Sequence, residues 1–391
     1  MSLQAQNIQE LFDTYEQHKI REITSRRFTQ AEMLRWLKPF EESGDVKKTD
    51  VGKSAEGRII TMYMVGDGPT KVLLWSQMHG DEPTATMALL DIFSFLSKNL
   101  SQTTKRSIRE NLTLLIIPML NPDGAEQFQR RTIHLVDMNR DALRLETPEA
   151  RCLKEVQQKY NPDFGFNLHD QDPRYTVGDS RKVTAIALLA PSTDQSRGDS
   201  PVRLRAKKVA AFVADNLNHF IQGHVAKYDD TFEPRAFGDN IQRWGTSTIL
   251  IESGGWPNDR DKMFLRKINY VALLSALGAI ADKSFEKADV ALYENLPFNT
   301  KNLYDIIIRN GTLKAHPTVS GIRVDVGLNL EEVVDSSKEI QLKAEVVDIG
   351  DLSTYVAFEE IDASGRRLDE KQIRLEASIP YKEIHRLIIQ E

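Results

Sequence analysis

With 391 residues, 40% hydrophobic and 28% charged, the chain is long enough for one large domain plus a smaller one, and its composition is not that of a disordered protein. A formal net charge of −6, with no long basic run, gives no electrostatic reason to expect nucleic acid or an anionic membrane as a partner. The lone cysteine, Cys152, excludes an internal disulfide and a thiolate metal cluster.

In chain order, MSLQAQNIQELF lacks the charged-then-apolar order of a signal peptide, so a cytoplasmic protein is expected, or a secreted or periplasmic one if a leader was trimmed. Ile8 to Phe40 places apolar residues at helical spacing, with Ser25 as a cap between two helices, and makes residues 1–45 a helical lead-in. Val46 to Met64 alternates like a hairpin, with Gly57 at its turn. Four apolar runs follow, Val72–Trp75, Leu112–Ile117, Phe164–Leu168 and Thr248–Ile251. Long helical stretches separate them, including Thr84–Leu100, Pro201–Ile221 and Asp261–Ala281. This spacing predicts an α/β fold, a mixed and mostly parallel sheet flanked by helices, over residues 46–284. The basic cluster Arg203–Lys208 is expected on a solvated helix face, and no stretch reads as the ~20 apolar residues of a membrane span. Residues 285–391 change to short alternating runs with turn residues, among them Asn310-Gly311 and Ser364-Gly365, and read as a small all-β, sandwich-like domain. Its His316 and His385 are expected to be solvated or packed.

Polar groups recur just past the four runs: HGDE, NPDG, HD and ESGG. In open α/β sheets ligands bind beyond the carboxyl ends of the strands. His79 and Glu82, three residues apart after the first run, can turn an imidazole and a carboxylate to one side. His169, after the third run, fits as a further ligand of one catalytic zinc. Glu252 ends the apolar run TILI, where a carboxylate is costly unless used, and suits a general base for a zinc-bound water. Arg130, Arg131 and Arg140 can supply the cation that stabilises charge on a carbonyl oxygen. Asn139 beside Arg140 is well made to hold a substrate carboxylate with parallel hydrogen bonds.

The ordered set HGDE, NPDG, DMNRD, NLHD and IESGG, over about Val51 to Ala281, resembles the zinc carboxypeptidases of peptidase family M14. The resemblance implies one zinc per chain held by His79, Glu82 and His169, a ligand set known for carboxypeptidase A. It further implies Glu252 as general base, Asn139 with Arg140 as the clamp for a terminal carboxylate, and Arg130, in preference to Arg131, as the oxyanion donor. Thr132 and Leu135 stand where the family usually has Asn and Gly. Tyr228 lies in the region of the family's mobile substrate-closing Tyr, and SAEGR (Ser54–Arg58) resembles a structural turn. The implied substrate is a peptide or peptide-like molecule with a free carboxylate. Phe237 and Asp239 suggest opposite side-chain preferences, apolar and basic.

Two alternatives belong to other classes. One is a zinc amidohydrolase acting on N-acyl amino acids, like succinylglutamate desuccinylase and aspartoacylase, which shares the HxxE and DxNR motifs. The other is a non-catalytic zinc or peptide-binding module, for which Glu252 would be superfluous. Oligomeric state leaves no trace in the sequence.

Overall fold

The computed structural model describes residues 3–97, 102–314, 316, 318–334 and 340–389. The elements run α1 (Leu3–Asp13), α2 (Tyr15–His18), α3 (Gln30–Glu42), β1 (Lys47–Lys53), β2 (Ile59–Val65), β3 (Thr70–Trp75), α4 (Thr84–Leu96), α5 (Thr103–Asn111), β4 (Leu112–Ile117), α6 (Pro122–Glu126), α7 (Pro148–Tyr160) and β5 (Phe164–Asp170). Next come β6 (Thr176–Val177), β7 (Ile186–Leu189), α8 (Pro201–Leu217), β8 (Val225–Lys227), α9 (Phe237–Arg243), β9 (Ser247–Ser253), α10 (Met263–Asp282), α11 (Ala291–Glu294) and β10 (Asn299–Thr300). The chain closes with β11 (Leu303–Leu313), β12 (Ile322–Val334), β13 (Ile340–Gly350), β14 (Val356–Asp362) and β15 (Ser378–Pro380). The end of the helix expected over Thr84–Leu100 falls outside the described residues.

An eight-stranded sheet has the order β1-β2-β4-β3-β5-β9-β7-β8. Its centre, β4-β3-β5-β9, is parallel, flanked by antiparallel β2 and β7. Because strand side chains alternate, each central strand feeds two cores. Val72, Leu74, Phe166, Leu168, Ile249 and Ile251 join one with α4, α8 and α10, whereas Leu73, Trp75, Leu115 and Ile117 join the other with α7 and α9. Burial on both faces explains why these strands read as continuous apolar runs. The hairpin at Val46–Met64 is β1 with β2, a bulge near Val51 and Gly57 at φ 84°.

Residues 1–173 and 184–299 form one compact unit; 174–183 and 300–391 form a second. The N-terminal helices therefore belong to the first unit, as does the segment 285–299. In that segment the Phe285 ring meets Phe164 edge-on at 5.4 Å, and the Ala190 amide donates to the Tyr293 hydroxyl at 3.0 Å. The cap expected at Ser25 is instead Thr29, which forms a capping box with Glu32 at the start of α3; Ser25 donates to Asp261. The cluster Arg203–Lys208 is not a wholly solvated face. Arg203 is buried, donating to Ala190 O at 3.1 Å and to Asp230 at 2.7 Å, and Lys207 pairs with Asp199 at 2.6 Å. These residues lie on α8, which packs between β9, α10 and α11. Among the described residues, α10 is long and apolar enough to cross a membrane, contrary to the sequence-level reading, yet most of it is buried in the core.

The second unit is a five-stranded sheet ordered β14-β11-β12-β13-β15, antiparallel except for the parallel β11–β14 pair. Its core joins Ile306, Val326, Leu328 and Val346 to Leu368, Ile384 and Leu387. Ser364-Gly365 is a turn with both residues at positive φ, whereas Asn310-Gly311 lies inside β11 as a bulge. His316 and His385 are exposed.

Candidate active site

The loop after β3 carries His79 and Glu82. It is knitted to the loop after β4 by backbone bonds from Leu120 to Ser76 and from Asn121 to Gln77. A Cβ on Gly80 would lie 2.0 Å from the Gly124 carbonyl carbon, so only glycine allows this approach. NPDG has a structural task here. Asn121 caps α6, and the buried Asp123 accepts from Ser54 Oγ at 2.6 Å, the Glu56 amide at 2.9 Å and Arg58 at 2.6 Å, fixing the SAEGR turn.

His79, Glu82 and His169, all buried, bring one ligand atom each within 4.8 Å of one another. Glu82 Oε1 lies 2.8 Å from His79 Nδ1, Glu82 Oε2 lies 2.7 Å from His169 Nδ1, and the two Nδ1 atoms are 3.2 Å apart. Two facing ring nitrogens and a carboxylate, all within a few ångströms, suit a borderline-soft divalent cation better than a hydrogen-bond network, because each ring nitrogen is at once pushed toward its neighbour's lone pair. The residues therefore fit zinc. The far nitrogen of His79, Nε2, lies 3.0 Å from Asp137 Oδ1, an arrangement that fixes the ring as metal-binding imidazoles require.

Asp137 gathers this side of the site. It accepts from Arg130 Nη2 at 3.1 Å and from the Asn139 amide at 2.9 Å. Spacing alone does not single it out, although it opens the DMNRD motif. Arg130, half-exposed, also reaches Glu82 Oε1 at 2.9 Å, while Arg131 turns away to the Leu135 carbonyl at 3.0 Å; the geometry thus separates the two. Leu135 sits at φ 60°, a left-handed conformation that suits the glycine usual at this position. Thr132 is buried and its amide closes the loop onto Val136 O at 3.0 Å.

Glu252 on β9 stands opposite His169 on β5 in register. Burial, then the charge of Glu82, pushes its carboxyl well above the ordinary range. His79 is the converse: burial opposes its charge, but Glu82 and Asp137 outweigh that and raise it to about 9. Burial holds His169 down despite Glu82. Asp170 is a further group missed by spacing; it accepts from Thr84 Oγ1 at 2.6 Å, and its amide donates to Glu82 at 3.2 Å.

Asn139 accepts from the Phe237 amide at 2.8 Å, which seats the start of α9 beside it. Arg140, partly exposed, lies 3.6 Å from Glu233, so a carboxylate already neighbours the guanidinium. Glu233 is itself pulled down to about 2, chiefly by its hydrogen bonds to Arg235. Phe237 is buried in the core with Ile241 and Trp75, so its ring is a packing group. Asp239 is buried and pushed up to about 7 by desolvation. Tyr228 follows β8, which β7 separates from β9, and its amide donates to Leu188 O at 2.9 Å.

Residues 33–197 match the family model described as zinc carboxypeptidase. This chain carries a zinc carboxypeptidase-family domain. A curated relative, "Carboxypeptidase 2" of Trichophyton rubrum, is 31% identical over 170 residues, which is 41% of this chain and 31% of that protein. The chain thus spans about a third of the length of the curated relative. In fold, the zinc carboxypeptidase domain resembles a metallo-carboxypeptidase from Burkholderia cenocepacia, with a TM-score of 0.51 at 15% identity over 66% of this chain and 70% of the other. It also resembles bovine thrombin-activatable fibrinolysis inhibitor, solved with a tick carboxypeptidase inhibitor, with a TM-score of 0.53 at 14% identity over 66% of this chain and 98% of the other.

Proposed function

We propose that the chain is a zinc-dependent carboxypeptidase that hydrolyses the last peptide bond of a substrate with a free C-terminus, using one metal ion per chain. The observation that carries this reading is the convergence of His79, Glu82 and His169 within 4.8 Å, with Glu252 directly across the strand pair from His169. The family match favours it over the deacylase alternative.

His79, Glu82 and His169 would hold the metal, which when bound supplies Lewis acidity toward a carbonyl oxygen and activates water. Glu252 accepts a proton from the attacking water and returns it to the leaving amine, a role helped by a raised proton affinity. Arg130 donates to the carbonyl oxygen as negative charge develops there. Asn139 and Arg140 receive the terminal carboxylate, with Arg140 exchanging Glu233 for the substrate. Tyr228 is proposed to close over the bound peptide.

Metal analysis combined with hydrolysis of peptides carrying free or amidated C-termini tests this. Stoichiometric zinc and turnover restricted to free termini are expected; equal turnover of both peptides overturns the reading.

A further inference from the structure

Asn167 lies on β5 two residues before His169, on the same face of the strand, and is 1% exposed. Neither its carboxamide oxygen nor its nitrogen has a hydrogen-bond partner among the described residues. Buried polar groups are rarely left in this state, because desolvation without a compensating bond is unfavourable. Exchanging the oxygen and nitrogen positions repairs nothing, since both ends are unpartnered.

The surroundings of this side chain are tightly set. Trp75 and Leu250 stand beside it on β3 and β9. At the start of α9, a Cβ on Gly238 would lie 3.0 Å from Asn167 Nδ2, and the preceding Phe237 amide is bonded to Asn139. Asn167 is thus the polar floor of the layer between β5 and α9, with His169 and Glu252 at its upper end and the Asn139 junction at its side. Two strand residues span roughly 7 Å, a distance that a glutamine side chain and one hydrogen bond can cover.

Resting on the carboxypeptidase reading above, we propose that Asn167 selects the side chain of the substrate's terminal residue, and that it selects a neutral one bearing both a donor and an acceptor, a primary carboxamide foremost. A carboxamide answers Oδ1 with a donor and Nδ2 with an acceptor at once. An aliphatic side chain leaves both unpartnered. A carboxylate sets an acceptor against Oδ1 and adds a negative charge near Glu82 and Glu252, and an ammonium sets a donor against Nδ2.

The test uses the zinc-loaded full chain and four peptides identical except for a final Gln, Met, Lys or Glu. The expected kcat/KM for Gln exceeds that for near-isosteric Met by roughly tenfold or more. In Asn167→Leu that ratio is expected to fall to one or below. Asn167→Ala, which opens space where Leu fills it, is the second variant and is expected to lose the preference as well. Calorimetric binding of Nα-acetylglutamine and Nα-acetylmethionine to the wild type should show the same order independently of turnover. A preference for Met in the wild type, or a Gln-to-Met ratio unmoved in both folded variants, overturns the assignment while leaving the peptidase reading intact. Hydrolysis of none of the four peptides by the metal-loaded chain overturns both.

Discussion

His169 on β5 and Glu252 on β9 face each other in register across adjacent parallel strands, so a proposed metal ligand and the proposed base are held by one hydrogen-bonded ladder instead of two independent loops. Replacing the carboxylate by its isosteric amide keeps that ladder and the three ligand groups while removing the proton acceptor. Glu252→Gln should therefore retain metal, measured by elemental analysis, and lose roughly 10²–10⁴-fold in kcat. Turnover within a few-fold of the wild type would show that another group takes the proton.

Asp137 holds His79 from behind at 3.0 Å and also receives Arg130 and the Asn139 amide. Asp137→Asn keeps the shape but weakens the acceptor that orients the imidazole. The expected result is roughly 10–100-fold weaker metal binding, read by competition with a chelating dye. Unchanged affinity would assign Asp137 to the Arg130 and Asn139 contacts alone.

The metal triad was legible because its residues follow apolar strands, whose length and burial impose a recognisable pattern. The side chains that organise the triad were not, because Asp137, Asp170 and Glu233 act through loop geometry that periodicity does not encode. Arg130 and Arg131 are indistinguishable as letters; only the turn at Leu135, whose φ of 60° directs the loop, sends one toward Glu82 and the other to a carbonyl. Asn167 was passed over for a different reason. Within an apolar strand a single Asn reads as a satisfied core residue, and its lack of partners emerges only once α9 is packed against it through Gly238.

Metal binding should release a proton from His79. In the metal-free protein Glu82 and Asp137, working against burial, raise this group to about 9, above the ~6.5 of an unfolded histidine. The raised value means that the pairing contributes stability in full below about pH 6.5 and loses it as the pH climbs through 9. Zinc requires the neutral ring, and His169 is already held neutral by burial, so about one proton must leave per ion. Affinity is thus expected to rise by roughly tenfold per pH unit up to pH 9 and then level. Calorimetric titration in buffers of different ionisation enthalpy measures the proton directly; a pH-independent affinity between 6.5 and 9 would refute the pairing.

Asp91 and Arg266 are fully buried and joined twice, Nε to Oδ2 at 2.7 Å and Nη2 to Oδ1 at 2.6 Å. The same carboxylate accepts from the Tyr15 hydroxyl at 2.9 Å and the Ile20 amide at 2.8 Å, while the guanidinium donates to Ile20 O and Ile23 O, both at 3.0 Å. The pair thereby fastens the segment around α2 to α4 and α10. Arg266→Leu strands a buried carboxylate without its cation and should cost about 3–5 kcal/mol, seen as a lower Tm and as earlier proteolytic cleavage within the first 30 residues. Asp91→Leu with Arg266→Leu removes both charges, so it should cost less than the sum of the single changes. It cannot be neutral, because the Tyr15 hydroxyl, the Ile20 amide and the two carbonyls would then lose their partners in the interior. If the double variant matched the wild type in both Tm and protease resistance, the N-terminal segment would have to be held by its apolar contacts alone.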